Sequence, residues 1–352
     1  MEIKIQRTEN PKEKPDESNL VFGRIFTDHM FIMDYEEGKG WYDPRIVPYG
    51  MLEVPPSMSV LHYGQAVFEG MKAYKGPDGR ILLFRPDENM KRLNRSNERI
   101  CIPEIDEEFC LEAIKELVNL DREWVPGAEG TSLYIRPFII ATDPALGLKP
   151  SSSYKFIVIL SPVGAYYPQG INPVNIYVET EYIRAIPGGT GYAKTSGNYA
   201  ASMKAQAEAL EKGFIQVLWT IGERPMVQEV GSMNVFFKID GEVITPELDG
   251  SILPGITRDS VIRLLKSWDV PVVERRIYLD EIFEAAEEGK LEESFGTGTA
   301  AVISPIGSLN WEGREITINN GKMGELSAKI YDELTGIQTG KKPDPFGWIV
   351  EV

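Results

Sequence analysis

The chain is poor in the two residue types that build most hydrolytic and metal sites. Its 352 residues include only two histidines, His29 and His62, and two cysteines, Cys101 and Cys110. Two imidazoles argue against a histidine-based catalytic triad and against a zinc site made of several histidines. The cysteines lack CxxC or metal-binding spacing, which is typical of a protein in a reducing compartment. A DxDxDG-type calcium loop is also missing, so we expect no required metal.

Basic residues and long apolar runs are scarce as well. Lys and Arg total 37 against 53 Asp and Glu, which gives a formal net charge of -16. Such a charge repels nucleic-acid phosphates and anionic lipid headgroups. No apolar run approaches the roughly 20 residues that cross a bilayer, and the charged N-terminus has no apolar signal segment. The sequence therefore predicts a cytoplasmic protein without nucleic-acid or membrane partners.

The composition that remains is typical of a globular chain with two domains. Apolar residues make up 42% and charged residues 26% of a chain long enough for two cores. Residues 1–19 are charged and contain prolines, and predict a flexible N-terminal arm. Three prolines and two glycines between residues 162 and 174 favour an interdomain connection. We predict a small N-terminal domain at 20–161, a linker at 162–175 and a larger C-terminal domain at 176–352.

Strand and helix signals alternate along the chain and predict a mixed α/β protein. Helices are predicted at 87–100, with Asp87 as the N-cap, at 107–120, and from near Thr257 and Leu279. An Asp-Gly pair at 240–241 predicts a hairpin turn. The β-branched and aromatic runs predict strands at 20–26, 29–35, 81–86, 132–142, 154–161, 214–220 and 234–239.

Lys194 stands in a sequence suited to a reactive amine. It follows a glycine-rich stretch, GGTGYAK (Gly188–Lys194), and precedes a helix of small residues. Glycines let the backbone approach a bound group, and alanines let a helix pack tightly. A lysine that does covalent chemistry needs an enclosed pocket, because a solvated ammonium is a poor nucleophile. The spacing alone leaves an ordinary surface lysine as the alternative.

Seven motifs in order resemble one enzyme family from about Leu20 to the C-terminus. The Lys194 segment, QEVGSMNVFF (Gln228–Phe237), LPGITRDS (Leu253–Ser260) and FGTGTAAVISP (Phe295–Pro305) are similar to fold-type IV pyridoxal-phosphate enzymes. VFEGMKAY (Val67–Tyr74), GTSLYIRPFI (Gly130–Ile139) and SPVGAYYPQG (Ser161–Gly170) narrow the resemblance to the branched-chain amino-acid aminotransferases. The resemblance implies two α/β domains with pyridoxal 5'-phosphate at their interface.

The resemblance assigns one residue to each part of the cofactor. Lys194 forms the covalent link to the aldehyde and moves the proton, Glu229 faces the pyridine nitrogen, and Tyr199 faces the ring hydroxyl. Phosphate is expected at a helix N-terminus, with amides of Ile256 and Thr257 and the hydroxyl of Thr299. The family's arginine corresponds to Arg92, although Arg95 and Arg99 share that charged helix and physical reasoning does not choose among the three.

The same resemblance implies a substrate pocket and a dimer. Alternating residues on a strand share a face, so Tyr134 and Arg136 project together, and Arg136 is the candidate for glutamate's second carboxylate. The DPALGLKP segment (Asp143–Pro150) resembles a loop that enters the partner subunit's site, which implies a homodimer. The CxxC switch found in part of the family is absent, since Ala301 and Ser304 occupy those positions. The implied substrate-binding residues are Tyr63, Phe68, Tyr134, Arg136, Leu146, Leu148, Tyr166 and Ala300.

These assignments predict transfer of the amino group of L-leucine, L-isoleucine or L-valine to 2-oxoglutarate, in two half-reactions. The alternatives are other fold-type IV enzymes, namely D-amino-acid aminotransferases, R-selective amine transaminases and aminodeoxychorismate lyase. A non-catalytic pyridoxal-phosphate carrier is the alternative from another class, and the joint presence of Lys194, Glu229, Tyr199 and Arg92 argues against it.

Overall fold

A computed structural model describes residues 1–164 and 171–352 of the chain. Its α-helices are α1 (Val60–Tyr63), α2 (Pro86–Arg99), α3 (Glu107–Leu120), α4 (Ser196–Glu211), α5 (Ile256–Ser267), α6 (Leu279–Glu287) and α7 (Glu325–Gln338). The strands are β1 (Lys4–Ile5), β2 (His29–Glu36), β3 (Gly40–Pro48), β4 (Ala66–Phe68), β5 (Met71–Lys75), β6 (Ile81–Phe84), β7 (Ser132–Ala141), β8 (Ser153–Val163), β9 (Val174–Glu179), β10 (Gln216–Ile221), β11 (Met226–Val230), β12 (Met233–Ile239), β13 (Glu242–Thr245), β14 (Val272–Glu274), β15 (Leu291–Gly298), β16 (Val302–Trp311), β17 (Arg314–Thr317) and β18 (Ile349–Glu351).

The described residues form two compact units. The first contains residues 1–164, Ala193–Ser196 and Gly336–Val352, and the second contains residues 171–192 and Gly197–Thr335. Lys194 therefore belongs to the first unit, within the short segment Ala193–Ser196, although the chain before and after that segment belongs to the second unit. Both units mix helices with a sheet, in agreement with the predicted α/β class.

A nine-stranded sheet organises the first unit. Its order is β1-β3-β2-β8-β7-β5-β6-β18, and β4 pairs with β7. All of these pairings are antiparallel except that of β1 with β3. One apolar cluster joins the sheet to α2 and α3, and it includes Phe31 and Val158 from strands and Leu93 and Leu117 from the helices.

Helix α3 confirms its prediction residue for residue. Asp106 caps it, because the carboxylate accepts the amide of Phe109 at 3.0 Å. Cys110, Ala113, Ile114, Leu117 and Val118 form its buried stripe, at the spacing of one helical face. Burying this face against the sheet stabilises both elements, since each buried aliphatic side chain contributes about 1.5–3 kcal/mol.

Two local predictions in the first unit are wrong. The predicted N-cap Asp87 lies inside the first turn of α2, which begins at Pro86 after Arg85 with a φ of 48°. Proline suits the first helical position because its missing N–H has no helical partner there. The predicted strand at 20–26 is a turn and irregular backbone, since Gly23 has a φ of 67° and Val21 and Phe22 are exposed.

The first 19 residues contact the first sheet at several points. Lys4–Ile5 pair with β3, and the amide of Gln6 donates to the carbonyl of Ile46 at 2.9 Å. The amide of Thr8 donates to Nε2 of His29, and the amide of Lys12 to Asp28. These bonds use backbone amides, so they depend little on the side chains of this segment.

The sheet of the second unit closes on itself. Strands β11-β10-β9-β16-β15-β12 follow one another, and β12 pairs again with β11, while β13, β14 and β17 lie outside this ring. The predicted hairpin between β12 and β13 is confirmed, with φ values of 51° at Asp240 and 82° at Gly241. An apolar cluster that includes Phe237, Ile282 and Phe283 joins the ring to α6.

Within the described residues, every helix is too short or too polar to traverse a lipid bilayer.

Candidate active site

The backbone of Lys194 is fixed on both sides within the first unit. Its amide donates to Oγ of Ser96 at 2.9 Å, and its carbonyl accepts the amide of Phe68 at 3.1 Å. The adjacent Thr195 bridges to Val67. The Nζ atom of Lys194 lies 4.9 Å from the centroid of the Phe68 ring. The backbone at this partly buried residue is therefore fixed by three contacts, and its amine lies over an aromatic face.

Arg92 is distinguished from its two neighbours by burial. Only 4% of Arg92 is exposed, whereas Arg95 is exposed and Arg99 is half-buried. Its guanidinium makes a two-point contact with Glu69, from Nε to Oε1 at 2.7 Å and from Nη2 to Oε2 at 2.8 Å. A buried, two-point ion pair of this kind fixes the guanidinium in one orientation.

Glu69 is the acid that organises this region, and sequence reasoning missed it. It is fully buried, and Oε2 also accepts Nδ2 of Asn89 at 2.8 Å and the amide of Gly70 at 3.2 Å. Burial alone would raise the pKa of Glu69, but the charges of Arg92 and Lys194 and the hydrogen bonds hold it below its ordinary value. Its position in VFEGMKAY, an acid among mainly apolar residues, was the available signal.

Tyr134 and Arg136 lie on one face of β7, as predicted. Nη2 of Arg136 donates to Oη of Tyr134 at 3.0 Å, and the guanidinium carbon lies 4.8 Å from the Phe68 ring centroid. Nε of Arg136 is buried without a hydrogen-bond partner among the described residues. A Cβ atom at Gly70 would lie 2.1 Å from Oη of Tyr134, so a larger residue at position 70 would require the Tyr134 side chain to move. The cluster presents aromatic surface next to a cation.

A second buried cation lies beside this cluster. Lys72 on β5 is the register partner of Tyr134, which places both side chains on the same sheet face. Only 8% of Lys72 is exposed, and burial lowers its pKa to about 8. Sequence reasoning missed Lys72 because a lysine in a strand is usually a solvated charge.

Glu229 is the central acid of the second unit. It lies on β11 with 3% exposure. Its Oε1 atom accepts the amide of Leu253 at 3.0 Å and Nδ2 of Asn234 at 3.3 Å. Arg184 lies 2.7 Å from Oε2 and was not predicted. One cation and two neutral donors therefore surround the carboxylate of Glu229.

Helix α5 begins where phosphate binding was predicted. Ile256 and Thr257 are its first residues, both mostly buried, after the N-cap Gly255. Gly255 has no side chain to cap the helix, and a Cβ atom there would lie 2.0 Å from Oδ1 of Asn234. The N-terminus of a helix attracts anions through its amides and its dipole.

The remaining predicted residues are partly buried in the second unit, exposed on the first unit, or outside the described part of the chain. Tyr199 is partly buried in the first turn of α4, where Asn198 and Thr190 join the helix to the glycine-rich segment through two hydrogen bonds. Thr299 and Ala300 form the partly buried turn after β15. Tyr63, Leu146 and Leu148 are exposed on the first unit by 42%, 69% and 89%. Tyr166 lies outside the described residues.

The side chains present fit a pyridoxal-phosphate cofactor in their chemistry. The first unit offers an amine at Lys194 and a buried guanidinium at Arg92, and the second offers the carboxylate of Glu229 and the N-terminus of α5. These are the donor types that an aldehyde, a phosphate and a pyridine nitrogen require. Among the described residues, no group of three or more His, Cys, Asp or Glu side chains is arranged to hold a metal ion.

Comparison with known proteins identifies the family. The family model described as "Amino-transferase class IV" matches residues 66–309, more than half of the chain. This chain belongs to the class IV aminotransferases. It is thus an enzyme that transfers amino groups, and the family implies a cofactor of the pyridoxal-phosphate type.

Relatives of this class IV aminotransferase share nearly its full length. "Branched-chain-amino-acid aminotransferase 2" of Bacillus subtilis (strain 168) is 60% identical over 351 residues, which is 99% of this chain and 97% of the relative. The crystal structure of the Escherichia coli branched-chain amino acid aminotransferase is similar with a TM-score of 0.76 and 27% identity, covering 92% of this chain and 98% of that one. The branched-chain aminotransferase of the archaeon Thermoproteus uzoniensis with norvaline has a TM-score of 0.75 and 27% identity, over 91% and 99% of the two chains. These similarities confirm the predicted fold-type IV class.

Proposed function

We propose that this class IV aminotransferase moves the amino group of L-leucine, L-isoleucine or L-valine reversibly to 2-oxoglutarate, with pyridoxal 5'-phosphate as cofactor. The name of the Bacillus subtilis relative, at 60% identity over nearly the whole chain, supports the branched-chain substrates. The observation that carries the proposal is the cluster in the first unit, where Phe68 and Tyr134 flank the guanidinium of Arg136.

The aromatic side of this cluster suits a branched apolar side chain. Phe68 and Tyr134 offer ring surface, and Tyr63, Tyr166 and the small Ala300 are further proposed parts of the pocket. Apolar contacts discriminate weakly, because one methylene changes binding by about 1–3 kcal/mol. We therefore expect similar turnover of leucine, isoleucine and valine.

The polar side of the cluster suits a carboxylate. Arg136 retains a buried Nε atom without a hydrogen-bond partner among the described residues, and it lies beside the hydroxyl of Tyr134. The Arg136 side chain is half-buried, and a guanidinium with an unused, buried donor gains from an anion that accepts it. Arg136 is accordingly proposed to bind the second carboxylate of glutamate, so that one pocket serves both amino donors.

Each cofactor-binding residue has a separate task in this proposal. Pyridoxal phosphate, when bound, supplies the electron sink that acidifies the substrate Cα–H bond. The amine of Lys194 holds the aldehyde carbon and, once released, carries the proton away from Cα. Glu229 keeps the pyridine nitrogen protonated, and Tyr199 donates to the ring hydroxyl. Phosphate is held by Arg92, by amides of Ile256 and Thr257, and by Thr299.

The proposal also includes a cytoplasmic homodimer. Leu146 and Leu148 are exposed by 69% and 89% in the single chain, and exposed leucines on one loop are typical of a surface that another chain covers. Light scattering of the purified enzyme should give twice the chain mass. Leu146→Ser with Leu148→Ser should shift it toward the monomer, and an unchanged mass would contradict this part of the proposal.

A substrate panel tests the proposed reaction. Purified enzyme with added pyridoxal phosphate is assayed for oxoacid formation from L-leucine, L-isoleucine, L-valine and D-alanine, with 2-oxoglutarate as acceptor, and for turnover of aminodeoxychorismate. The branched-chain L-amino acids should be the preferred substrates. Preference for D-alanine or for aminodeoxychorismate would instead favour another reaction of the same fold type.

A further inference from the structure

A buried network in the second unit surrounds Glu229 and centres on Arg184. Nη2 of Arg184 lies 2.7 Å from Oε2 of Glu229, with side-chain exposures of 7% and 4%. The same Nη2 donates to the carbonyl of Ser251 at 2.9 Å. Oε1 of Glu229 is occupied by Leu253 and Asn234. Arg184 is therefore the cation that directly compensates this acid.

The segment around Arg184 is tightly fixed. Nε2 of Gln228 donates to the carbonyl of Ala185 at 3.0 Å and to Oγ of Ser251 at 2.6 Å. A Cβ atom at Gly191 would lie 2.0 Å from the carbonyl oxygen of Ser251, so the two backbone segments pass in direct contact. Arg184 thus has little freedom to move away from Glu229.

Stability alone is a weak reason for this ion pair. A buried pair commonly gains little over apolar residues of similar volume, because both charges lose their hydration. Nε of Arg184 is also buried without a hydrogen-bond partner among the described residues, which adds to the cost of its burial. A pair that contributes little to stability and still leaves a donor unsatisfied suggests a role in the chemistry of Glu229.

We infer that Arg184 is a positioning residue that keeps Glu229 ionised, so that the proton shared by Glu229 and the pyridine nitrogen stays on the nitrogen. The inference rests on the proposed role of Glu229. A proton on Glu229 would remove its negative charge and leave the buried Arg184 cation uncompensated, whereas a proton on the nitrogen leaves the Arg184–Glu229 pair intact. An opposite charge at this distance shifts proton affinity by about 10- to 1,000-fold.

Nitrogen NMR of the bound cofactor tests this inference directly. Pyridoxal phosphate labelled with nitrogen-15 in its ring is bound to the wild type and to R184K and R184Q, and the ring nitrogen is observed by solid-state NMR. The wild type and R184K should show a protonated nitrogen, and R184Q a signal moved toward the unprotonated value. The kcat of R184Q for L-leucine should fall at least about tenfold with a smaller change in KM.

Controls separate this inference from the proposed function. R314M removes an arginine that is 57% exposed on β17, and it should leave the nitrogen signal unchanged. E229Q should give an unprotonated nitrogen; a protonated nitrogen there, or a wild type that does not bind the cofactor, would overturn the role of Glu229 itself. A wild-type signal in R184Q, with E229Q unprotonated, would overturn the inference about Arg184 alone.

A second variant covers the case in which R184Q does not fold. R184A can be refolded with millimolar guanidinium, which replaces the missing cation, and then dialysed. The nitrogen should be protonated with guanidinium present and lose its proton as the guanidinium is removed. A ring-nitrogen signal that is the same with and without guanidinium would refute the inference.

Discussion

Replacing Glu69 by glutamine tests the buried acid that holds Arg92 in the first unit. Both oxygens of the Glu69 carboxylate act as hydrogen-bond acceptors. Their donors include Nε and Nη2 of Arg92, Nδ2 of Asn89 and the amide of Gly70. Glutamine keeps the volume but offers one oxygen, and its NH₂ group would face donors. The substitution also leaves the Arg92 cation uncompensated at 4% exposure.

The expected cost is a large fraction of the stability of the first unit. Removing one partner of a buried ion pair costs about 3–5 kcal/mol, and we expect the lower end because glutamine retains one acceptor. The free energy of unfolding of Glu69→Gln is measured by urea denaturation without cofactor. Glu112→Gln is the matched control, since Glu112 is 68% exposed and pairs with Lys115 at 3.1 Å, and it should unfold like the wild type.

The contribution of Glu69 to the free energy of unfolding should depend on pH. The pKa of folded Glu69 lies below its ordinary value of 4.5, so its contribution is present above about pH 4.5 and is lost as the pH falls through the folded pKa. The difference between wild type and Glu69→Gln should therefore be constant from pH 8 to 5 and shrink in stronger acid. A variant as stable as Glu112→Gln at pH 7 would refute this account of the pair.

Three further predictions concern other buried or exposed groups. Lys72→Met should raise the free energy of unfolding by about 3 kcal/mol at pH 7, because burial lowers the pKa of Lys72 to about 8. This gain, measured by urea titration, should vanish as the pH rises from about 8 to 10.5. A gain that stays constant over this pH range would contradict the prediction. Arg136→Met should raise the KM for glutamate at least about tenfold and change that for leucine much less in steady-state assays, and equal changes would argue against its carboxylate role. One thiol should react with Ellman's reagent in the native protein and two in urea, because Cys101 is exposed while burial raises the pKa of Cys110. Reaction of both thiols in the native protein would contradict the structure.

Short sequence patterns predicted the helices and strands that depend mainly on residues close together in the chain. Helix α3 was predictable because its apolar residues recur at helical spacing, and the structure adds the Asp106 cap to the same boundary. The strand predicted at 20–26 failed because β-branched and aromatic residues also occur in exposed turns, and a glycine with positive φ breaks the pattern at Gly23.

The missed site residues depend on partners distant in sequence. Glu69 meets Arg92 from 23 residues away, and Arg184 meets Glu229 from 45 residues away. The spacing of residues in the sequence does not indicate such pairs. Arg92 differs from Arg95 and Arg99 in its burial, which only the structure shows. Spacing did suffice for Tyr134 and Arg136, because alternation along a strand determines which side chains share a face.

Trapping the covalent link tests the central claim most directly. The enzyme with bound pyridoxal phosphate is reduced with sodium borohydride, digested with trypsin and examined by mass spectrometry. The account predicts a phosphopyridoxyl group on Lys194 and its loss, together with all transaminase activity, in a folded Lys194→Ala variant. A label on another lysine, or full activity in Lys194→Ala, would contradict it.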